Sequence, residues 1–358
     1  MPKLIHSLLG LLLLIMHQLP LAKTSTEQII LRQTLIEYIQ PQYKKLSIAT
    51  EALQTQTKHL CQTPSPENLR QTRQAFHNLI SAWGYIEWLR LGPIIQHNRL
   101  ERFFFFPDRK SIGLRQIQRI LSKKDHKALK HVTLKTLSVA VQGLGALDYL
   151  LFGNESQTLY SRNDFRCQYA YAVTQNLHFI SKTVTQAWFN DNELLNDFLH
   201  PSTTNPNYHS DQEAMNALIG ILIHSLQGIR DTRIGAYLKP NNKKDRPKSA
   251  PLWRSQSTLK LISANLKGLD QLFNQSQISL LLPNEKQSIH AALNKDFQQS
   301  IFVSESFDTS INTLLADPEQ RERMRYLQLL TEFLIERFTD DFGASTGLST
   351  GFSFNDGD

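Results

Sequence analysis

Cysteine is nearly absent from the 358-residue chain, with Cys61 and Cys167 its only two, too few for a small disulfide-scaffolded fold. Excess charge is modest as well. Lysine and arginine outnumber the acids 39 to 32, a net +7. A dedicated nucleic-acid binder would concentrate positive charge on one face, so no nucleic-acid partner is expected. Alternating strand patterns with hairpin turns are scarce, which argues against a β core. The chain has no phosphate-cradling glycine loop and no His-Glu-x-x-His. Gly-x-Ser-x-Gly occurs at 343–347 and 347–351, but in a tail with no helix behind it, where a nucleophile elbow does not form. What is present is ordinary: 41% hydrophobic residues, enough for a large core and against overall disorder.

Residues 1–22 stand apart. Lys3, the apolar run Leu8–Met16 and the small-residue ending at Ala22 have the layout of a secretory signal peptide cleaved after Ala22. The run is short for a bilayer span, and no cysteine stands near the cleavage point for lipid attachment. The remaining chain carries +6, because Lys3 is the only charged residue lost. No later segment reads as transmembrane, so an exported product is expected. In an oxidising compartment an isolated pair of cysteines points to a bridge, here closing a loop of about 100 residues. Two buried thiols are the alternative.

Helical spacing dominates the rest. Phe76, Ile80, Trp83, Glu87 and Arg90 recur at steps of four and three between Ser65, a cap, and Gly92-Pro93, a stop. Met215, Leu218, Ile219, Leu222, Leu226 and Ile229 form a second seam over 211–238. Further helices are predicted over 27–60, 113–123, 129–152, 164–199, 256–281, 284–315 and 318–341. The fold class is all-α, with two antiparallel helical bundles. The expected division is 23–155 and 156–358. Lys239–Lys248 reads as an exposed basic loop.

Two segments carry candidate chemistry. The connection Leu91–Lys110 is long for a helical fold and joins Phe103–Phe106 to Arg99, Arg102, Asp108, Arg109 and Lys110. At least half of the phenylalanine run should pack inside, and the loop reads either as a pocket lining or as a plug between bundles. Glu87 and Arg90 share a face with Trp83, and such charges need partners, which the arginines or Asp108 of the loop could supply. In Gln142–Gly153, two glycines inside a predicted helix, Gly143 and Gly145, imply close approach by a neighbour or a ligand beside Asp148. His224 reads as a core histidine. Asp211 reads as a helix cap, with His209 and Glu213 as weak metal-ligand candidates beside it.

These segments resemble the imelysin-like proteins, an exported bacterial family classed with a metallopeptidase group. The resemblance spans most of the chain after residue 22. It is carried by Trp83–Pro93, Phe105–Lys110, Gln142–Gly153, Glu213–Ala217, Ser257–Leu269 and the closing Gly351–Asp358. It implies paired helical bundles, a periplasmic location, frequent association with iron acquisition, and a branch with cysteines at the places of Cys61 and Cys167. The family signature is Gly-x-His-x-x-Glu, proposed as a metal or catalytic site. Here the window reads Gly143-Leu-Gly-Ala-Leu-Asp148, with Gly145 in place of His and Asp148 in place of Glu. A zinc peptidase needs about three protein ligands and a general base. The expectation is therefore a non-catalytic accessory of iron or haem uptake with no resident cofactor, iron or haem being its ligand. Its partners would be iron-transport components of the cell envelope. The candidate ligand-binding residues are Trp83, Arg90, Asp108, Arg109, Gly143, Gly145 and Asp148, with no catalytic or metal residue. A divergent metal-dependent peptidase and a structural envelope protein are the other readings.

Overall fold

A computed structural model of the protein describes residues 24–161 and 164–348. The leader read at 1–22, the second Gly-x-Ser-x-Gly beyond Leu348 and the closing Gly351–Asp358 lie outside the described residues. Within them, regular structure is helical throughout, without a strand.

The first helix, α1 (Thr26–Gln33), passes through a π-helical stretch at Thr34–Ile39 into α2 (Gln40–Gln62). Helix α3 (Pro66–Ile86) starts as its sequence predicts. The Ser65 hydroxyl accepts the Asn68 N–H at 3.1 Å, and Pro66 occupies the first turn, where its missing N–H is not needed. Short α4 (Arg99–Phe103), α5 (Ile112–Lys123), α6 (His131–Leu134) and α7 (Leu144–Phe152) follow. Then come α8 (Phe165–Asn190), α9 (Asn192–Leu199), α10 (Asp211–Gln227) and α11 (Thr258–Gln275). The chain continues through α12 (Gln287–Glu305), α13 (Ile311–Ala316), α14 (Pro318–Glu336) and a last turn, α15 (Ala344–Thr346).

Several predicted helices are shorter than their apolar pattern. The 129–152 run breaks because the chain wraps around buried Gln142, whose Nε2 donates to Leu137 O at 2.6 Å and whose Oε1 accepts from Arg102 Nε at 2.9 Å. Gly143 therefore lies at the N-cap of α7, not inside a helix. The 164–199 run breaks at Asp191, whose carboxylate accepts the Leu194 N–H, and the 284–315 run at Ser310, which caps α13. Helix α10 is capped by Ser210, whose hydroxyl accepts the Glu213 N–H, and Asp211 is only in its first turn.

Helix α8 lies antiparallel along α2. Thr185 Oγ1 donates to Tyr43 O, Thr50 meets Ser181, and Cys61 is bonded to Cys167, so contacts advance along the two helices in opposite senses. The bridge closes at a Cα–Cα distance of 5.6 Å. Helix α3 packs on α2 at one side and on α11 at the other, which makes α3–α11 the seam between the bundles. That seam is tight. A Cβ added at Gly84 would stand 2.6 Å from the Ala264 Cβ. Beyond it, α10, α12 and α14 surround a cluster of Phe273, Phe297, Phe338 and Phe342. The loop after α4, the start of α7 and the segment between α10 and α11 converge on one concavity.

Candidate functional site

That concavity is a cavity of about 620 Å³, within the usual range for ligand pockets. Asp108, Arg109, Gly145 and Asp148 all line it. The phenylalanine loop supplies part of the wall: Phe103 and Phe104 are buried in the core, and Phe104–Phe106 face the space.

Asp148 is buried, at 2% exposure, on the first turns of α7. Its Oδ1 accepts the Ser255 N–H at 2.9 Å, and its Oδ2 lies 3.6 Å from Arg254 Nη1. Burial pushes the Asp148 carboxyl above the usual carboxylate range, against the opposing pull of Ser255 and Arg254. Arg254 is itself held over the Trp253 ring at 4.5 Å and the Tyr149 ring at 5.4 Å. One turn back, Gly145 leaves a gap. A Cβ built there meets no atom within 4 Å.

Asp108 has a different task. Its two oxygens accept the Gly113 and Leu114 N–H groups at 3.0 and 3.1 Å, capping α5 and bending the loop into the wall. Lys110, Lys239, Arg246, Lys248 and Arg254 stand around the space, against Asp108, Asp148 and Asp231. With Arg109, the lining is net positive.

Three candidates lie elsewhere. Trp83 is buried and stacked on Phe103, ring centroids 4.3 Å apart, and does not reach the cavity. Gly143 serves packing: a Cβ there would stand 2.3 Å from the Phe103 carbonyl oxygen. Arg90 lines a neighbouring crevice with Trp88. Glu87 does not pair with the loop. It forms a buried ion pair with Arg233 and accepts from Asn265 Nδ2 at 3.1 Å. Helix α3 ends at Ile86, so Arg90 lies beyond the helix whose spacing suggested a shared face, and spacing alone does not say what lies opposite.

Sequence reasoning missed Arg254, Ser255, Trp253 and Tyr149. The 239–248 loop is largely exposed, as its sequence suggests, but the Asp245 side chain is tucked in. Its Oδ2 accepts from Arg321 Nε at 2.7 Å and its Oδ1 from the Lys239 N–H, pinning the loop as a cavity wall. The available signal was a Trp-Arg pair closing a basic stretch, an aromatic residue that a purely solvated loop would not need.

The residues present do not fit the signature's metal. Gly145 has no ligand atom, both Asp148 oxygens face protein donors, and among the described residues no three His, Cys, Asp or Glu side chains converge on one point. Glu213 is engaged by the His209 N–H at 2.6 Å. Among the described residues no helix is long and apolar enough to cross a membrane.

The family model described as Imelysin, of the M75 peptidase group, matches residues 39–335. A crystal structure of an imelysin-like protein from Psychrobacter arcticum 273-4 superposes with a TM-score of 0.73 at 16% identity, over 92% of this chain and 98% of that one. A protein from Parabacteroides distasonis ATCC 8503, assigned as an iron-regulated protein A precursor, gives 0.69 at 12% identity over 88% and 96%. No curated protein matches. At these identities the structures show the shared fold.

Proposed function

We propose that this chain, which belongs to the imelysin family, is an exported binding protein of the periplasm that holds an anionic iron complex or haem in the Gly145–Asp148 cavity and serves iron acquisition without catalysis. The observation that carries this reading is the state of the signature positions. Where the family has histidine, Gly145 leaves open space, and where it has glutamate, Asp148 is already satisfied by Ser255 and Arg254. The helix turn that would present reactive groups instead presents room, inside a basic cavity with aromatic walls. The Cys61–Cys167 bridge suits an oxidising compartment, and the leader-like residues 1–22 suit export. The iron link rests on the family resemblance and on the iron-regulated neighbour. Transport components of the envelope would be the partners.

The test is a metal analysis and a thermal-shift screen on periplasm-purified protein with ferric citrate and haem. A ligand present at 100 times its Kd stabilises by about 2.7 kcal/mol, or roughly 3–4 °C for a chain of this size. Absence of any shift with every ferric complex removes the binding role.

One observation favours a second reading, a divergent hydrolase with Asp148 as general base: its raised pKa is of the kind found at catalytic sites. Peptide cleavage by zinc-loaded protein, abolished in Asp148→Asn, would establish it. Metal-free protein without turnover would exclude it.

A further inference from the structure

Behind Phe106 and Pro107 lies a second, smaller crevice of about 190 Å³, which shares Arg109 and Thr232 with the main cavity. Its remaining walls are Trp88, Arg90, Arg233 and the last turns of α10. Among the described residues its lining holds three arginines and His224 but no carboxylate.

Arg233 is placed there by a π-helical stretch, Gly228–Ile234, that continues α10, a distortion found frequently at functional sites. It is 4% exposed, and Glu87 is its ion-pair partner. Its Nε and Nη1 are nonetheless buried without an acceptor, as are Arg90 Nε and Trp88 Nε1. Buried donors are rarely left unpaired, and here four of them belong to three residues that line one crevice. The Trp88 ring carries both guanidinium groups, Arg90 Cζ and Arg233 Cζ each 5.2 Å from its centroid. Stacking on an aromatic ring holds an arginine fork flat and pre-oriented, the geometry that matches a planar carboxylate. Burial lowers the pKa of both arginines, that of Arg233 to about 9, a desolvation cost that a nearby anion would offset.

We propose that this crevice is a carboxylate-binding site, separate from the Asp148 cavity, in which Arg90 and Arg233 hold one carboxylate beside Trp88. The ligand is a free small carboxylate.

The test titrates succinate into the full chain by calorimetry, with sodium chloride at matched ionic strength as control. Wild type is compared with Arg90→Gln, Arg90→Lys and Arg254→Gln. Wild type should bind succinate, Arg90→Gln should weaken binding at least tenfold, Arg90→Lys should do so less, and Arg254→Gln should leave it unchanged. Absence of binding by wild type, or binding indifferent to Arg90 in folded variants, overturns the proposal.

Discussion

Asp148 and Arg254 face each other across 3.6 Å, carboxylate Oδ2 to guanidinium Nη1, although 106 positions of sequence separate them. The pairing locks α7 to the segment before α11 and leaves Gly145 as the opening between them. It also makes Asp148 an acceptor already in use. A buried carboxylate so held has a pH signature.

Its folded pKa lies above the unfolded value of about 3.9, so its contribution to stability is fully present below that value and is lost as pH rises through the folded pKa. Asp148→Asn keeps an acceptor for the Ser255 N–H and removes the buried charge. Urea unfolding at pH 4 and pH 8 should show wild type losing stability relative to Asp148→Asn as pH rises. A constant difference between the two chains would show that burial does not raise this group.

The two signature glycines should respond oppositely to alanine. At Gly145 a Cβ meets nothing, and relief of glycine's helix penalty should stabilise by about 0.5–1 kcal/mol. At Gly143 the Cβ would drive into the Phe103 carbonyl, at a cost of roughly 1–3 kcal/mol or more. Chemical denaturation of the two variants decides it, and equal effects would contradict the difference in packing.

Removing the bridge should loosen the α2–α8 pair. Cys61 and Cys167 are 106 residues apart, and the chain-entropy model gives up to about 5 kcal/mol for a loop of that length. The Cys61→Ser/Cys167→Ser chain should therefore melt well below wild type. An unchanged melting temperature would mean that α2 and α8 stay docked unaided.

Asp245→Ala should destabilise by roughly 3 kcal/mol, because it leaves buried Arg321 without its main partner. The same change frees the 239–254 wall and should weaken ligand binding in the main cavity. Loss of stability with unaltered affinity would show that this wall takes no part in binding.

Much of the helical framework was legible in the sequence, because apolar spacing reports a buried face directly. Met215, Leu218, Ile219, Leu222, Leu226 and Ile229 are all buried, as are Phe76, Ile80 and Trp83. The breaks at Asp191, Ser310 and Gln142 were not legible, since each rests on a side-chain hydrogen bond inside an apolar pattern that continues past it. In the candidate site, Asp108, Arg109, Gly145 and Asp148 were read as neighbours and do line one cavity. Arg254 and Ser255 were missed because they meet Asp148 only through tertiary packing. Trp83 and Gly143 were placed in the site on shared face or proximity, yet their contacts are with Phe103.

The most direct test is calorimetric titration of ferric citrate and haem into the purified full chain, wild type beside Arg254→Gln and Gly145→Trp. Wild type should bind one of them saturably, with affinity weakened at least tenfold when Arg254 loses its charge and abolished when tryptophan fills the space at 145. No binding by wild type, or binding that both variants leave intact, would contradict the binding role.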